Sequence, residues 1–454
     1  MRHQRSLNRR QFVTRAAAGL GGVALSGLAG LRPAWAFRAD KPLKVGAVIT
    51  SFTHRSHAHV IMENFLVPYL FNGKRTEPGM TVTGMFVDQI GGGDMSRDVA
   101  RQFDIPMYDT IGEALCGGGD QLAVDAVLLI GEHGNYPTNE KGQVQYPRKE
   151  FFDEVVKVFR RSGRSVPVFN DKHLSYRWDW AKEMVDTARE LDFPFMAGSS
   201  VPLAQRRPPM ELPADAKLAS AVSIHGGGVE SYDFHALEVL QSQIEARRGG
   251  ETGVRRVQFL EAEPLWKAAD EGLWSSELGA LAMAAEVGPE HPLTRLVASR
   301  GSAQPDPAEP VHGILIHYND GLRAVALKVG NSGTRWNFAC QVEGENEPRA
   351  TAYYVGPWDN RNLFKALSHA IQTHFREGKA PYPVERTLLN SGILDAAMDS
   401  RAAGGKPVDT PWLDVAYAPQ DFRAMREMGA SWKIITEETP QHHGIKPVGL
   451  EQAG

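Results

Sequence analysis

The stretch "KVGAVITSFTHRSHAH", Lys44–His59, decides the fold class. Its first part, Lys44–Ile49, is typical of a buried strand, and apolar residues recur at helical spacing from His57 onward, so a short loop joins a strand to a helix. A loop that cradles a phosphate through its backbone follows the pattern G-x-G-x-x-G. Here Thr50–Ser56 contains no glycine, and Gly46 lies inside the strand. The loop therefore either holds a phosphate through its side chains or binds nothing.

Outward from this stretch, short apolar runs alternate with amphipathic helices as far as residue 200. The further strand candidates are "TVTGMFV" (81–87), "VDAVLLI" (124–130), "VPVFN" (166–170) and "PFMAGSS" (194–200). Such alternation predicts a parallel sheet covered by helices on both faces. The N-terminal part is therefore predicted to be a doubly wound, Rossmann-like α/β domain, whose ligands bind at the carboxyl ends of the strands.

The pattern changes after residue 200. The runs "VHGILIHYNDGLRAVALKVG" (311–330), "TRWNFACQVEG" (334–344) and "RATAYYVG" (349–356) alternate like antiparallel strands. We predict an α+β domain with an open, mostly antiparallel sheet. Its helices are too few to cover both faces of the sheet, so a dimer or tetramer through the open face is expected. The expected organisation is a signal peptide (1–36), a Rossmann-like domain (37–200), a substrate and oligomerisation domain (201–385), and a C-terminal helix and tail that pack back on the body (386–454).

Length and composition agree with two soluble domains. A chain of 454 residues is too long for one ordinary core, and 42% hydrophobic with 23% charged residues is typical of a globular protein. The net charge of −4, with no basic run after the N-terminus, argues against a nucleic-acid partner. Cys116 and Cys340 are too few for a disulfide framework and are predicted to be buried thiols.

The N-terminal segment "NRRQFVTRAAAGLGGVALSGLAGLRPAWA" (8–36) has the features of an export signal. Arg9 and Arg10 precede an apolar stretch that ends in small residues, and the pair resembles a twin-arginine (Tat) signal. The segment predicts the Tat machinery as a partner and a periplasmic or secreted location. Tat substrates are exported folded, which suits a protein that loads a cofactor in the cytoplasm.

Two long segments carry a resemblance to a known family. They are "MFVDQIGGGDMSRDVARQFDIPMYDTIGEAL" (85–115) and "NLFKALSHAIQTHFREGKAPYPVERTLLNSGILDAAMDSRAAGGKPVDTP" (362–411). Both resemble the Gfo/Idh/MocA oxidoreductases, and the resemblance covers most of the chain after the signal. It implies NAD or NADP, a sugar, cyclitol or glycoside as substrate, and a homodimer or homotetramer. A redox-cycling glycosidase that regenerates its bound NAD belongs to the same family.

The same resemblance indicates the catalytic residues. Lys172, in "DKH" after the fourth strand, matches the lysine of the family's Glu-Lys-Pro motif and is expected to polarise a substrate hydroxyl or move its proton. His235, in "GGGVESYDFHAL", falls one residue out of step with the family's D-x-x-x-H helix. It is expected to take the hydroxyl proton, although a buried core histidine is the competing interpretation.

The remaining candidates follow from position along the chain. Those expected to bind the cofactor are Gly46, Thr50, Ser51, Thr53, Ser56, Asp88, Glu132, His133 and Asp171. Within that set Asp88 would accept hydrogen bonds from a ribose, or merely cap a turn, and Ser56 would contact a phosphate, or merely cap the helix. Those expected to bind substrate are Asn135, Tyr136, His173, His225 and Asp233.

Two further features leave the function open. The excess of histidine at these motif positions supports a divalent metal in place of a dinucleotide, with His133, His173, His225 and His235 as ligands. The chain would then be a metal-dependent lyase or hydrolase, or, without a metal, a sugar-binding protein. Aromatic residues suit a carbohydrate-like ligand, because rings stack on the C–H faces of sugars, although tryptophans of the core or of an interface are the competing interpretation. The ring candidates are Trp178, Trp180, Trp266, Trp274 and Trp358.

Overall fold

The computed structural model describes residues 41–213, 215–289 and 311–447. The predicted signal peptide (1–36) and the loop Ser302–Pro310 lie outside the described residues. Among the helices that the structure describes, none is both long enough and apolar enough to cross a bilayer.

The first sheet has five parallel strands in the order β4-β1-β5-β6-β7. The strands are β1 (Leu43–Ile49), β4 (Met80–Val87), β5 (Ala126–Ile130), β6 (Val168–Asp171) and β7 (Phe195–Gly198). The short hairpin β2 (Tyr69–Phe71) and β3 (Lys74–Thr76) lies between β1 and β4 along the chain. These are the five strands expected from the apolar runs, and the Rossmann-like prediction is confirmed.

Helices cover both faces of this sheet, as its continuous apolar strands require. They are α1 (His57–Leu66), α2 (Ser96–Gln102), α3 (Ile111–Cys116), α4 (Arg148–Ser162) and α5 (Trp178–Glu190). Gly46 allows one of these contacts, because a Cβ at that position would lie 2.5 Å from Leu115 of α3. The only glycine of the opening stretch is thus explained by strand–helix packing.

The second sheet has eight strands, and all of its pairings are antiparallel except β13 with β9. Its order is β16-β11-β12-β13-β9-β14-β15-β8. The strands are β8 (Gln205–Arg207), β9 (Leu218–Gly226), β11 (Val254–Glu261), β12 (His312–Tyr318), β13 (Arg323–Lys328), β14 (Ser332–Val342), β15 (Arg349–Tyr354) and β16 (Val408–Asp409). The predicted open, mostly antiparallel sheet is confirmed. A small outlying pair is formed by β10 (Glu251–Thr252) and β17 (Ala416–Tyr417).

The described residues form five more α-helices. They are α6 (Ser231–Ile244), α7 (Ala262–Asp270), α8 (Ser276–Val287), α9 (Asn360–Glu377) and α10 (Val384–Ala402). Helix α6 packs on one face of the second sheet and on α10, and α9 packs on α1 of the first sheet. The two buried cysteines, Cys116 and Cys340, are unpaired, as expected.

The structure corrects the reason for expecting an oligomer. Helices were expected to be too few to cover both faces of the second sheet. Instead, α7 and α8 pack on the face opposite α6 and bury an apolar cluster there that includes Trp266 and Trp274. A homodimer or homotetramer stays a prediction, without an uncovered sheet face to support it.

Candidate active site

Polar side chains from four segments meet at the carboxyl edge of the parallel sheet, around a cavity of about 390 Å³. Strands β1, β5 and β6 are adjacent and parallel, so the segments that follow them emerge at the same edge. The start of α6, from the second domain, lies over this edge. The residues that line the cavity from these segments are His57, Glu132, His133, Lys172, Glu230 and His235.

Glu132 is the electrostatic centre of this site. Its side chain is 7% exposed, and one carboxylate oxygen lies 3.2 Å from Lys172 Nζ while the other accepts a hydrogen bond from Arg148. Burial opposes ionisation, but the two adjacent cations hold the pKa of Glu132 well below its ordinary value. Glu132 is therefore a carboxylate that positions cations.

Lys172 directly follows β6, as expected from the sequence. Its amine donates a hydrogen bond to the backbone oxygen of Ser231 at 2.9 Å, which ties the edge of the first sheet to the start of α6. The amine also contacts Glu132. The side chain is 4% exposed, so its charge is partly withdrawn from water beside the cavity.

Two histidines at the cavity, His133 and His235, are predisposed to be neutral. Burial is the main cause that lowers the pKa of His133 to about 4 and the pKa of His235 well below its ordinary value. The Nδ1 atom of His235 is 2.6 Å from Ser199 Oγ, which fixes the ring, and a neutral imidazole held in this way can accept a proton. His57 begins α1 and pairs through Nδ1 with Asp171 at 2.6 Å.

Three non-glycine residues with a strained backbone line the same cavity. His133, Lys172 and Glu230 all have positive φ, at 69°, 68° and 66°, although none is glycine. Such conformations cost about 1–3 kcal/mol each and are retained where the surrounding structure imposes them, often at functional sites. The three residues lie on three different segments and all line the cavity. The strain therefore supports this cavity as the functional site.

One wall of the cavity is aromatic. Trp336 of β14 and Tyr232 of α6 stack with ring centroids 5.2 Å apart and planes 9° from parallel. The five tryptophans expected to contact a sugar lie elsewhere. Trp266 and Trp274 are in the core beneath α8, Trp358 is in a separate buried cluster, and neither Trp178 nor Trp180 lines the cavity.

The loop after β1 is held together by its own hydrogen bonds. The Thr53 N–H donates to Ser56 Oγ, the Ser56 N–H to Thr53 O, and the Arg55 N–H to His59 Nδ1. Ser56 also caps α1 by accepting from the His59 N–H. Thr50 Oγ1 donates to the backbone oxygen of Glu132 at 2.7 Å. Ser51, also in this loop after β1, is buried.

The structure joins Asp88 to the predicted substrate loop. The Tyr136 hydroxyl donates to the Asp88 carboxylate at 2.7 Å, and the Asn135 N–H donates to Gln89 Oε1 at 2.8 Å. Neither Asn135 nor Tyr136 lines the cavity. Asp88 is exposed at the end of β4, the position expected for a group that contacts a ribose.

The other predicted substrate residues lie behind the cavity. His173 is buried, with Nε2 3.0 Å from Arg148. His225 and Asp233 form a buried group with His312, in which one Asp233 oxygen is 2.9 and 2.8 Å from the two Nε2 atoms. This group is the only set with metal-ligand spacing among the described residues. Its hydrogen bonds account for that spacing without a metal.

The four histidines of the alternative metal site do not converge. His133 and His235 face the cavity, whereas His173 lies with Arg148 and His225 lies with Asp233. They occupy four different segments, so their sequence positions alone did not specify a common centre. The predicted His133, His173, His225 and His235 set is therefore not present as a ligand sphere in the described structure.

Five site residues were missed in the sequence. His57 starts α1, Arg148 starts α4, Glu230 immediately precedes α6, Tyr232 lies in α6, and Trp336 lies in β14. Glu230 and Tyr232 carried a usable signal, because they follow the run Gly226–Gly228 at the start of a helix that the resemblance places at the active site. The others had no such signal, since only the fold brings Arg148 to Glu132 and brings His57 and Trp336 to the cavity.

Comparison with known proteins supports the fold. No protein-family model matches the sequence, and no curated protein matches it. Among solved structures, GenD2 from gentamicin A biosynthesis, in complex with NAD, matches with a TM-score of 0.51 and 14% identity over 84% of this chain and 99% of that chain. The chain has the two-domain fold of the Gfo/Idh/MocA oxidoreductases.

Two other matches are weaker. The myo-inositol 2-dehydrogenase from Lactobacillus plantarum has a TM-score of 0.47 and 12% identity, over 81% of this chain and 99% of that chain. An oxidoreductase from Agrobacterium radiobacter, in complex with NAD+, L-tartaric acid and magnesium, has a TM-score of 0.48 and 13% identity, over 81% of this chain and 98% of that chain. At these identities the likeness concerns the fold alone.

Proposed function

We propose that this chain is an oxidoreductase that acts on a sugar, cyclitol or glycoside with a nicotinamide dinucleotide, NAD or NADP. The observation that carries the proposal is Lys172 at the carboxyl edge of the Rossmann sheet, beside Glu132 and in the same cavity as neutral His235. In this fold the carboxyl edge is where ligands bind. A redox-cycling glycosidase would use the same residues.

The donor set of the described residues suits a dinucleotide in chemical type. Thr53 and Ser51 supply hydroxyls, Arg55 supplies a cation whose side chain is 33% exposed, and Asp88 supplies an exposed carboxylate at the ribose position. These side chains would hold the phosphates and the ribose where glycines are absent. When bound, the nicotinamide ring supplies the hydride acceptor.

The protein's own residues would handle the substrate hydroxyl. The Lys172 amine is a hydrogen-bond donor fixed by Ser231 and Glu132, so it can polarise the hydroxyl oxygen. If His235 Nδ1 donates to Ser199 Oγ, its Nε2 is left to accept the hydroxyl proton. The aromatic wall would face the C–H surface of the sugar.

The nucleotide content tests this proposal directly. Protein purified from the cytoplasm and then denatured should release nicotinamide dinucleotide, about one molecule per chain if the cofactor is tightly held. Apoprotein titrated with NAD and NADP should bind one of them. If no dinucleotide is released and neither NAD nor NADP binds, the proposal that this protein uses a dinucleotide is overturned.

A second candidate is a binding protein or enzyme without a dinucleotide. The observations in its favour are the loop after β1, in which the Thr53, Arg55 and Ser56 N–H groups bond within the loop or to the first turn of α1, and the Tyr136 hydroxyl bound to Asp88. These contacts occupy groups that a dinucleotide would need. Binding of a polyol panel that includes myo-inositol and D-glucose, without any nucleotide, would favour this candidate.

The aromatic wall provides a test of the substrate class. Trp336→Ala should weaken binding of the polyol that the wild type binds best, by roughly fivefold, because ring stacking is of the order of 1 kcal/mol. Isothermal titration calorimetry measures the change. Trp180→Ala is the control, because Trp180 does not line the cavity. Equal effects of the two substitutions would contradict a sugar-facing wall.

Export by the Tat route to the periplasm or the exterior remains part of the proposal. It rests on the arginine pair and the small-residue end of the segment 8–36. A cofactor bound before export would explain the use of a pathway for folded proteins.

A further inference from the structure

Glu230 is a buried carboxyl in the cavity that the proposed chemistry does not use. It immediately precedes α6, is 3% exposed, and lines the cavity together with Lys172 and His235. Buried carboxyls are rare unless they are paired or functional. Its contacts therefore indicate what it does.

The backbone at Glu230 is strained in a specific way. Its φ of 66° and ψ of −64°, with the Ser231 N–H bonded to Val229 O at 2.8 Å, define a γ-turn with positive φ, which is rare and unfavourable. The turn is held by a capping box, in which the Asp233 carboxylate accepts from the Glu230 N–H and the Glu230 side chain accepts from the Asp233 N–H. The strained turn is therefore firmly held at the cavity.

The Glu230 carboxyl has capacity left for a ligand. Its Oε1 atom is buried and has no hydrogen-bond partner among the described residues. The nearest titratable atom is His173 Nε2 at 3.6 Å, which already contacts Arg148 at 3.0 Å. Buried polar atoms are almost always satisfied, so a partner at this oxygen is expected from a bound molecule.

The surroundings leave this carboxyl able to change protonation near neutrality. Burial raises the pKa of Glu230 to about 7, and the Glu132 carboxylate acts in the same direction. Arg148, Lys172 and the Val144 backbone oppose the shift. Glu132 has the opposite shift, and two carboxyls with divergent pKa values in one site are typical of an acid and its charged companion.

We propose that Glu230 is an acid–base residue that contacts a hydroxyl group of the polyhydroxylated ligand through Oε1. As the carboxylate it accepts the hydroxyl hydrogen, and as the acid it donates to the hydroxyl oxygen. The inference rests on the substrate class of the proposed function, but it requires no dinucleotide.

Calorimetry of a defined probe tests the inference. Myo-inositol and D-glucose are titrated into the full chain between pH 6 and 8, in buffers of different ionisation enthalpy, which gives the protons exchanged on binding. The wild type should exchange a fraction of a proton that is largest near pH 7, since the carboxyl is about half protonated there. Glu230→Gln keeps an oxygen for the cap but cannot titrate, so the exchange should disappear.

Glu238→Gln is the matched control. Glu238 is buried on the same helix and its pKa is also raised, mainly by burial, but Thr387 and Asn390 satisfy it away from the cavity. This variant should keep the proton exchange. Proton exchange that persists in Glu230→Gln would overturn the inference, as would failure of the folded wild type to bind either polyol. If Glu230→Gln loses the proton exchange and the protein contains no nicotinamide, the role of Glu230 is supported and only the proposal of a bound dinucleotide is overturned.

Discussion

Lys172→Met should abolish turnover in a protein that still folds and keeps its nucleotide content, although it loses one of the two cations beside Glu132 and is therefore less stable than the wild type. Methionine keeps the length and the apolar stem of lysine but removes the charge and the donors that contact Ser231 and Glu132. Acid–base groups typically contribute about 10²–10⁴-fold in rate, so the loss should be of that size. It is measured as kcat/KM for whichever member of the polyol panel the wild type turns over.

A matched substitution separates this effect from a general loss of charge. Lys182 lies on α5, is 48% exposed and pairs only with Asp186, so Lys182→Met should retain wild-type turnover. His235→Ala should cost a factor comparable to Lys172→Met. If both residues act on one hydroxyl, the double variant should lose less than the product of the two single losses. Normal turnover in Lys172→Met would contradict a catalytic role for the lysine and leave only the fold in common with the oxidoreductases.

The fold was predictable because its signals are local. Each parallel strand is a short run that is apolar on both faces, and each helix has an apolar stripe, so the five strands β1, β4, β5, β6 and β7 could be placed from spacing alone, whereas the hairpin β2–β3 was not predicted. The second face of the eight-stranded sheet was misjudged. Helices α7 and α8 cover that face with their apolar side chains. Their sequences have the pattern of any amphipathic helix, which does not indicate the sheet face on which a helix packs.

The site was predictable only in part, because its groups meet through the fold. Lys172 could be placed at a strand end from one match to a motif. Arg148 could not be placed in the site, because a 15-residue loop separates it from its partner Glu132. No periodic pattern in the sequence predicts the path of that loop. The loop after β1 shows the same limit, because its sequence lacks glycine but does not reveal that the Thr53 and Arg55 N–H groups donate to Ser56 Oγ and His59 Nδ1.

Arg148 connects several residues of this site, so its removal is expected to destabilise the protein. Arg148 is fully buried, donates to Glu132 and to His173, and lies 4.8 Å from the centre of the Tyr146 ring. Its path is left open by Gly131, where a Cβ would lie 2.7 Å from Arg148 Cγ. The lowered pKa of Glu132 thus depends on Arg148 and Lys172 together.

Arg148→Met should therefore destabilise the protein by about 3–5 kcal/mol at pH 7, because it leaves Glu132 buried with one cation in place of two. The free energy of unfolding is measured by urea denaturation followed by circular dichroism. Arg177→Met is the control. Its ion pair with Asp179 is about half exposed, and its loss should change stability by less than about 1 kcal/mol.

The pH dependence of the same difference identifies its cause. The pKa of Glu132 is lowered in the folded protein, so its ionisation contributes stability that is present above the unfolded-state pKa of about 4.3 and is lost as the pH falls through the folded-state pKa. Arg148→Met weakens that depression, and the variant has less of this stability to lose in acid. The difference in the free energy of unfolding between the wild type and Arg148→Met should therefore narrow as the pH falls below about 4.3.

A second change, Glu132→Gln in the Arg148→Met background, should recover part of the lost stability at pH 7, because it removes the carboxylate that is left with one cation. A difference that stays constant with pH, and no recovery in the double variant, would show that Arg148 acts through packing on Tyr146 and Gly131, with no electrostatic part for Glu132.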